Sequence, residues 1–214
     1  MTSAEKIAIQ TKFLEQGEEV NKLYWNNLNG IPKISIVQMG FSSTTTEGDI
    51  RRFYVRWRLA CSFNNIDLIG YKNATANSYT NLTRVFFTFT AFERFAKVMK
   101  GGKWYDCTEL IEEKDIVVLY ELFEKLNKNG KFLEFLTNGS SEALIERLDK
   151  LKNGYKGEIL AVAAAMRHKF SHGHLSGLPQ GVLPMNEFSF KISLVLLETM
   201  IREFSKKVNS IETV

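Results

Sequence analysis

Three histidines, an arginine and a run of alanines share one stretch of this 214-residue chain, Ala161-Val162-Ala163-Ala164-Ala165-Met166-Arg167-His168-Lys169-Phe170-Ser171-His172-Gly173-His174, and no histidine lies outside it. An imidazole, with an ordinary pKa of about 6.5, can take a proton from a hydroxyl or, once charged, return one to a leaving oxygen. A guanidinium fork can hold a phosphate and stabilise the charge that builds up in a transition state. Arg167 and His172 together therefore suit phosphodiester cleavage by attack of a 2′-hydroxyl, chemistry that requires no metal.

A helix has to carry these groups. Ile159, Val162, Ala163, Met166 and Phe170 fall at i, i+3, i+4, i+7 spacing and predict a helix from Gly157 to His172. Alanine favours helix, Gly173 offers a left-handed stop, and Pro179 marks chain beyond the helix. His172 is thus expected in the last turn or just past it, beside free carbonyls. Ala161, Ala164 and Ala165 leave the other side smooth, with His168, Ser171 and His172 continuing it, so this side is expected to be a surface that meets something. On an ideal helix Arg167 and His172 stand about 140° apart in azimuth and about 7.5 Å apart along the axis. They would not touch, although a long arginine side chain can bring its guanidinium towards the imidazole.

Arg167-His168-Lys169-Phe170-Ser171-His172, followed by Gly173 at the end of an Ala-rich helix, resembles the R-x4-H motif of the HEPN superfamily. That resemblance covers six residues. It implies an all-α helical bundle of long antiparallel helices with additional peripheral ones. It also implies a metal-independent endoribonuclease of the toxin–antitoxin or antiviral defence kind, with a composite site built by both subunits of a homodimer. Carried onto this chain, Arg167 becomes the phosphate and transition-state binder and His172 the acid/base. His168 is the polar residue after the arginine, and Ser171 and His174 are auxiliary. RNA, a second copy of the chain and a cognate antitoxin or regulatory protein are the implied partners, and no cofactor is implied. One branch of such toxins has Tyr two residues after the motif histidine; His174 stands there instead, so regulation through that tyrosine does not carry over. Glu93 is similar in placement to an acidic residue that some members carry on an earlier helix, a surface carboxylate being the plainer reading.

Other readings of the same residues stay open. Cations at a helix C-terminus are favoured by the macrodipole, so Arg167 and the histidines could serve as caps alone. His168, His172 and His174 could present three imidazoles to a metal, though no Cys, Asp or Glu stands nearby to complete a closed site. A catalytically silent helical module that binds a partner protein or a nucleotide is the alternative to an enzyme.

Composition limits the class. Hydrophobic residues make up 44% and charged residues 24%, the balance of an ordinary globular chain. Sixteen Phe and three Trp against three Pro point to a helical core with few turns. A formal charge of +4 permits a polyanionic partner without requiring one. Cys61 and Cys107 are too few and too widely spaced for a disulfide framework. Neither a signal-peptide pattern nor an apolar run of membrane-spanning length is present, so a cytoplasmic protein with no membrane partner is expected.

Taken in order, residues 1–214 read as a single all-α domain, with 1–45 a candidate N-terminal helical extension. Thr2-Ser3-Ala4-Glu5 resembles a capping box for a first helix that ends at Asn29-Gly30-Ile31-Pro32. Ile34 to Val37 could be a short strand or an extended crossing. A second helix is expected from Asp49 to Gly70, with Ile50, Phe53, Tyr54, Trp57, Ala60, Cys61 and Leu68 inward. Arg51, Arg52, Arg56 and Arg58 fall mostly off that arc, as a solvated face or as a phosphate-tracking, nucleic-acid-binding surface. Asn73 to Thr80 reads as a loop, Leu82 to Lys100 as a central helix. Asp115 is expected to cap a helix reaching Asn129, with shorter helices at Lys131–Leu136 and Ser141–Lys152. Gly173 to Pro184 reads as a loop shaping the mouth of the site, and a last helix starts at Asn186 or Glu187.

Overall fold

The computed structural model describes residues 3–30, 34–174 and 182–210. The chain is an all-α bundle, and no strand occurs among the described residues. Its helices are α1 (Ser3–Asn29), α2 (Glu47–Ser62), α3 (Asn73–Lys100), α4 (Glu113–Leu126), α5 (Lys131–Thr137), α6 (Glu142–Lys152), α7 (Leu160–Ser171) and α8 (Val182–Asn209). Single 3-10 segments at Trp104–Leu110 and Lys156–Ile159 precede α4 and α7. Among the described residues no helix is long and apolar enough to cross a membrane.

Several local expectations are corrected. Ile34 to Val37 forms no strand. The Met39 amide donates to the Ser35 carbonyl and the Phe41 amide to the Ile36 carbonyl, while Ser35 and Gln38 exchange side-chain bonds, so the segment is a coiled turn that ends at Gly40 with φ of 78°. Asn73 to Thr80 is helix, not loop. Asn, Ser and Thr disfavour helix by hydrogen-bonding locally to backbone, but here those side chains are used within the fold. Asn81 Nδ2 donates to the Asn77 carbonyl, and Thr80 Oγ1 accepts the Ile66 amide. Helix α2 stops at Ser62, short of Gly70. The cap of α4 is Glu112, and Asp115 instead pairs with Lys191 at 2.8 Å. Helix α8 begins at Val182, earlier than expected, with Pro184 in its first turn where a missing amide costs nothing.

The chain divides into two compact units. The first comprises Met1–Asn64, Thr90–Leu110 and Leu196–Val214; the second comprises Asn65–Phe89 and Ile111–Val195. Residues 1–45, a candidate extension from sequence, lie wholly in the first unit and bury Tyr24, Leu28, Met39 and Phe41 there. Tyr24, Phe41 and Phe53 gather around Phe204, with ring centroids 5.2 Å apart for Phe41–Phe204 and 5.3 Å for Phe53–Phe204, and Phe95 packs on Phe53. Helix α2 enters this unit through a reciprocal cap. The Thr46 hydroxyl accepts the Asp49 amide, and the Asp49 carboxylate accepts the Thr46 amide. Cys61 and Cys107 are buried free thiols in the same unit, and burial pushes Cys107 up to about 12 and Cys61 higher.

The second unit holds the motif helix. Leu119, Phe123, Leu136, Leu148 and Phe188 are buried in it, as is every residue of α7 from Leu160 to Met166. Helices α5 and α6 pack on α7. The expected smooth alanine surface is therefore corrected: Ala161, Ala164 and Ala165 are buried. Small side chains bring helices close, and this chain uses that property internally.

Candidate functional site at the C-terminal turn of α7

Helix α7 leaves the core only in its last turn. Arg167, His168 and Phe170 are half-buried, whereas Ser171, His172, Gly173 and His174 are exposed. The end is closed as the sequence predicts. Gly173 takes φ of 73°, its amide donates to the Phe170 carbonyl, and the His174 amide donates to the Lys169 carbonyl. This crossed pair is the Schellman arrangement, with His172 as the cap residue. The Ser171 hydroxyl donates to the His168 carbonyl at 2.9 Å, so this side chain serves the helix end.

Two imidazoles meet at that end. The ring centroids of His168 and His172 are 4.5 Å apart, with planes inclined by 57°. Burial and then the neighbouring charges of His172, Lys169 and Arg167 lower the pKa of His168 below its ordinary value, against a hydrogen bond to the Gly139 backbone that favours the charged form. The imidazolium form of His168 is thus disfavoured, and the Arg167 charge is felt at its ring.

Lys169, a residue the sequence reading passed over, anchors the turn from below. It is only 5% exposed; its ammonium donates to the Asn138 carbonyl and lies 5.3 Å from the centroid of Phe135. Val162, Ala165, Met166 and Lys169 stand at i, i+3, i+4, i+7, so helical phase alone places this lysine inward. The turn between α5 and α6 is thereby held against the motif twice, by Asn138 under Lys169 and by Gly139 against His168. Phe170 packs edge-on against Phe86 of α3, with centroids 6.3 Å apart.

No group of three or more His, Cys, Asp or Glu among the described residues converges as a metal ligand set. Most of the loop expected at the site mouth, residues 175–181, lies outside the described residues.

The four arginines of α2 lie in the first unit, and they do not share a face. Arg51 stacks over Trp25 of α1 at 4.5 Å, and Arg58 pairs with Glu18 of α1 at 3.2 Å. Arg52 pairs with Asp49 at 3.5 Å, and Arg56 lies among the charges of Arg94 and Glu93 of α3. Glu93 also belongs to the first unit, whereas Arg167 and His172 belong to the second. Comparison with models of known families, with curated proteins and with solved structures gave no match.

Proposed function

We propose that this chain is a metal-independent endoribonuclease of HEPN type, with Arg167 binding the scissile phosphate and His172 moving the proton. The observation that carries the reading is the exposed end of α7, where the Arg167 charge and two touching imidazoles emerge from an otherwise buried helix. The 2′-oxygen attacks phosphorus, the 5′-oxygen leaves on the opposite side, and the product is a 2′,3′-cyclic phosphate. Such an in-line displacement asks for a base on one side and an acid on the other. Imidazoles in mutual contact serve one side only, so the opposite role falls to a second copy of the chain, in agreement with a homodimer. A place in a toxin or defence system, and a cognate antitoxin, belong to the same resemblance.

The test is cleavage of a labelled RNA in EDTA by wild type, Arg167→Ala and His172→Ala. Each variant is expected to retain its fold by circular dichroism and to lose on the order of 100-fold or more in rate. Wild-type products are expected to end in cyclic phosphate. Cleavage indifferent to both substitutions removes the assignment, and cleavage abolished by EDTA moves it to a metal enzyme.

One observation favours the silent binding module instead: His168 is held to the Gly139 backbone rather than left open. That reading expects RNA to survive with wild type, and partner binding to depend on the α7 end.

A further inference from the structure

The four arginines of α2 divide between two faces, and the face that carries Arg52 and Arg56 joins further cations on α3. Asp49, Arg52 and Arg56 stand at i, i+3 and i+7 on α2, so they share a face. That face meets α3. Lys97 pairs with Asp49 at 3.0 Å, Arg52 reaches the same carboxylate at 3.5 Å, and Arg94, one turn before Lys97, adds its charge beside Arg56. Four cations here face two carboxylates, Asp49 and Glu93, and the Asp49 side chain is 5% exposed beneath its partners.

Asp49 is already committed. It caps α2 by accepting from Thr46, and it is held down to about 2 chiefly by bonds from Thr46 and Lys97. Its charge is therefore fixed and largely covered, while the side chains of Arg52 and Lys97 remain 63% and 44% exposed. Burial and then the Arg94 charge lower the Arg56 pKa from its ordinary value, Arg52 adding to them and Glu93 opposing. Like charges crowded on two packed helices gain most from an oxyanion laid across them, and guanidinium forks match phosphate geometry.

We infer that Arg52, Arg56, Arg94 and Lys97 form a phosphate-binding face on the first unit, and that its occupant is the backbone of single-stranded RNA. The phosphate chemistry follows from the cluster itself; the choice of RNA rests on the ribonuclease reading. Arg51 and Arg58 are excluded from the site, since they face α1 through Trp25 and Glu18. Arg94 and Lys97 enter it although nothing in the α2 sequence pointed to them.

The experiment is fluorescence anisotropy of a labelled 2′-O-methyl uridine oligomer in EDTA across a salt series. Such an oligomer lacks the attacking hydroxyl and stays intact. R56Q/R94Q is expected to make the slope of log affinity against log salt shallower by about 1.4, the loss of two single-strand phosphate contacts. The charge-keeping R56K/R94K is expected to hold the wild-type slope, which separates lost charge from lost fold. K128Q/K152Q, exposed lysines of the second unit, is also expected to leave the slope unchanged. An unaltered slope in R56Q/R94Q, or an equal fall in the lysine control, overturns the site. Binding of phosphatidylserine vesicles that depends on Arg56 and Arg94, without RNA binding, overturns the choice of occupant. A shallower slope alongside uncut natural RNA keeps the face and removes the ribonuclease; cutting with no change in slope does the reverse.

Discussion

His168 is the residue whose surroundings say most about the site. Burial and the charges of His172, Lys169 and Arg167 all disfavour its imidazolium, and only the Gly139 backbone opposes them. Its titration midpoint is expected below the ordinary histidine value, and in His172→Asn it is expected to rise, because a like charge has gone. Imidazole NMR across pH reads both, and a midpoint that stays put in His172→Asn would show that the two rings do not interact. The same shift bears on stability. Between the lowered folded value and the ordinary one, the unfolded chain binds the proton more readily, so stability falls as pH drops through that window and levels off below it. Replacing His168 by Gln should therefore reduce the loss in urea midpoint between about pH 7 and about pH 5. An undiminished loss would assign the acid sensitivity to other groups.

Two glycines separate what an element needs from its backbone and what it needs from its neighbours. Gly173 has φ of 73° and open space around its missing side chain, so Gly173→Ala is expected to cost about 1 kcal/mol for the left-handed backbone alone. Gly173→Asn should cost less, since Asn tolerates that region. Gly17 poses the opposite problem. A Cβ there would stand 1.8 Å from the Trp57 ring, and Trp57 is buried and cannot swing away. Gly17→Ala should cost on the order of 1–3 kcal/mol by forcing α1 off α2. Denaturant midpoints decide both; a loss in Gly173→Asn as large as in Gly173→Ala, or no loss in Gly17→Ala, would contradict this division. The same contrast explains what was legible in the sequence. The stop at Gly173, the bounds of α5 and α6 and the all-α class follow from local propensity and period, which the sequence carries directly. The helix over Asn73–Thr80, the burial of Ala161, Ala164 and Ala165, and the partner of Asp115 depend on what packs against them. In the site, Arg167 and His172 were visible as a motif and His168 and His172 as an i, i+4 pair, whereas the hold of the Gly139 backbone on His168 depends on how the turn between α5 and α6 packs. Lys169 was readable from helical phase, although the motif gave it no role. Arg94 is 38 positions from Arg56 in sequence, and only folding makes them neighbours.

At the scale of the molecule, the proposed chemistry and the proposed phosphate face fall in different compact units. Catalysis by the α7 end adds a requirement that one chain does not meet, because His168 and His172 lie together and serve one side of a phosphorus. If the missing side comes from a second copy, Arg167 and His172 of different chains act on the same phosphate. Arg167→Ala and His172→Ala, each inactive alone, should then regain RNA cleavage when mixed under conditions that let subunits exchange. The mixed dimer has one intact Arg167 and one intact His172, on opposite chains, and the His168 that both chains keep is left for the second proton transfer. Native mass spectrometry of two mass-tagged variants establishes whether exchange has occurred, and cleavage in EDTA reads the function. Mixed dimers that form and remain inactive would place both groups of each site on a single chain, and the argument for a composite site would fail even if the isolated wild type cuts RNA.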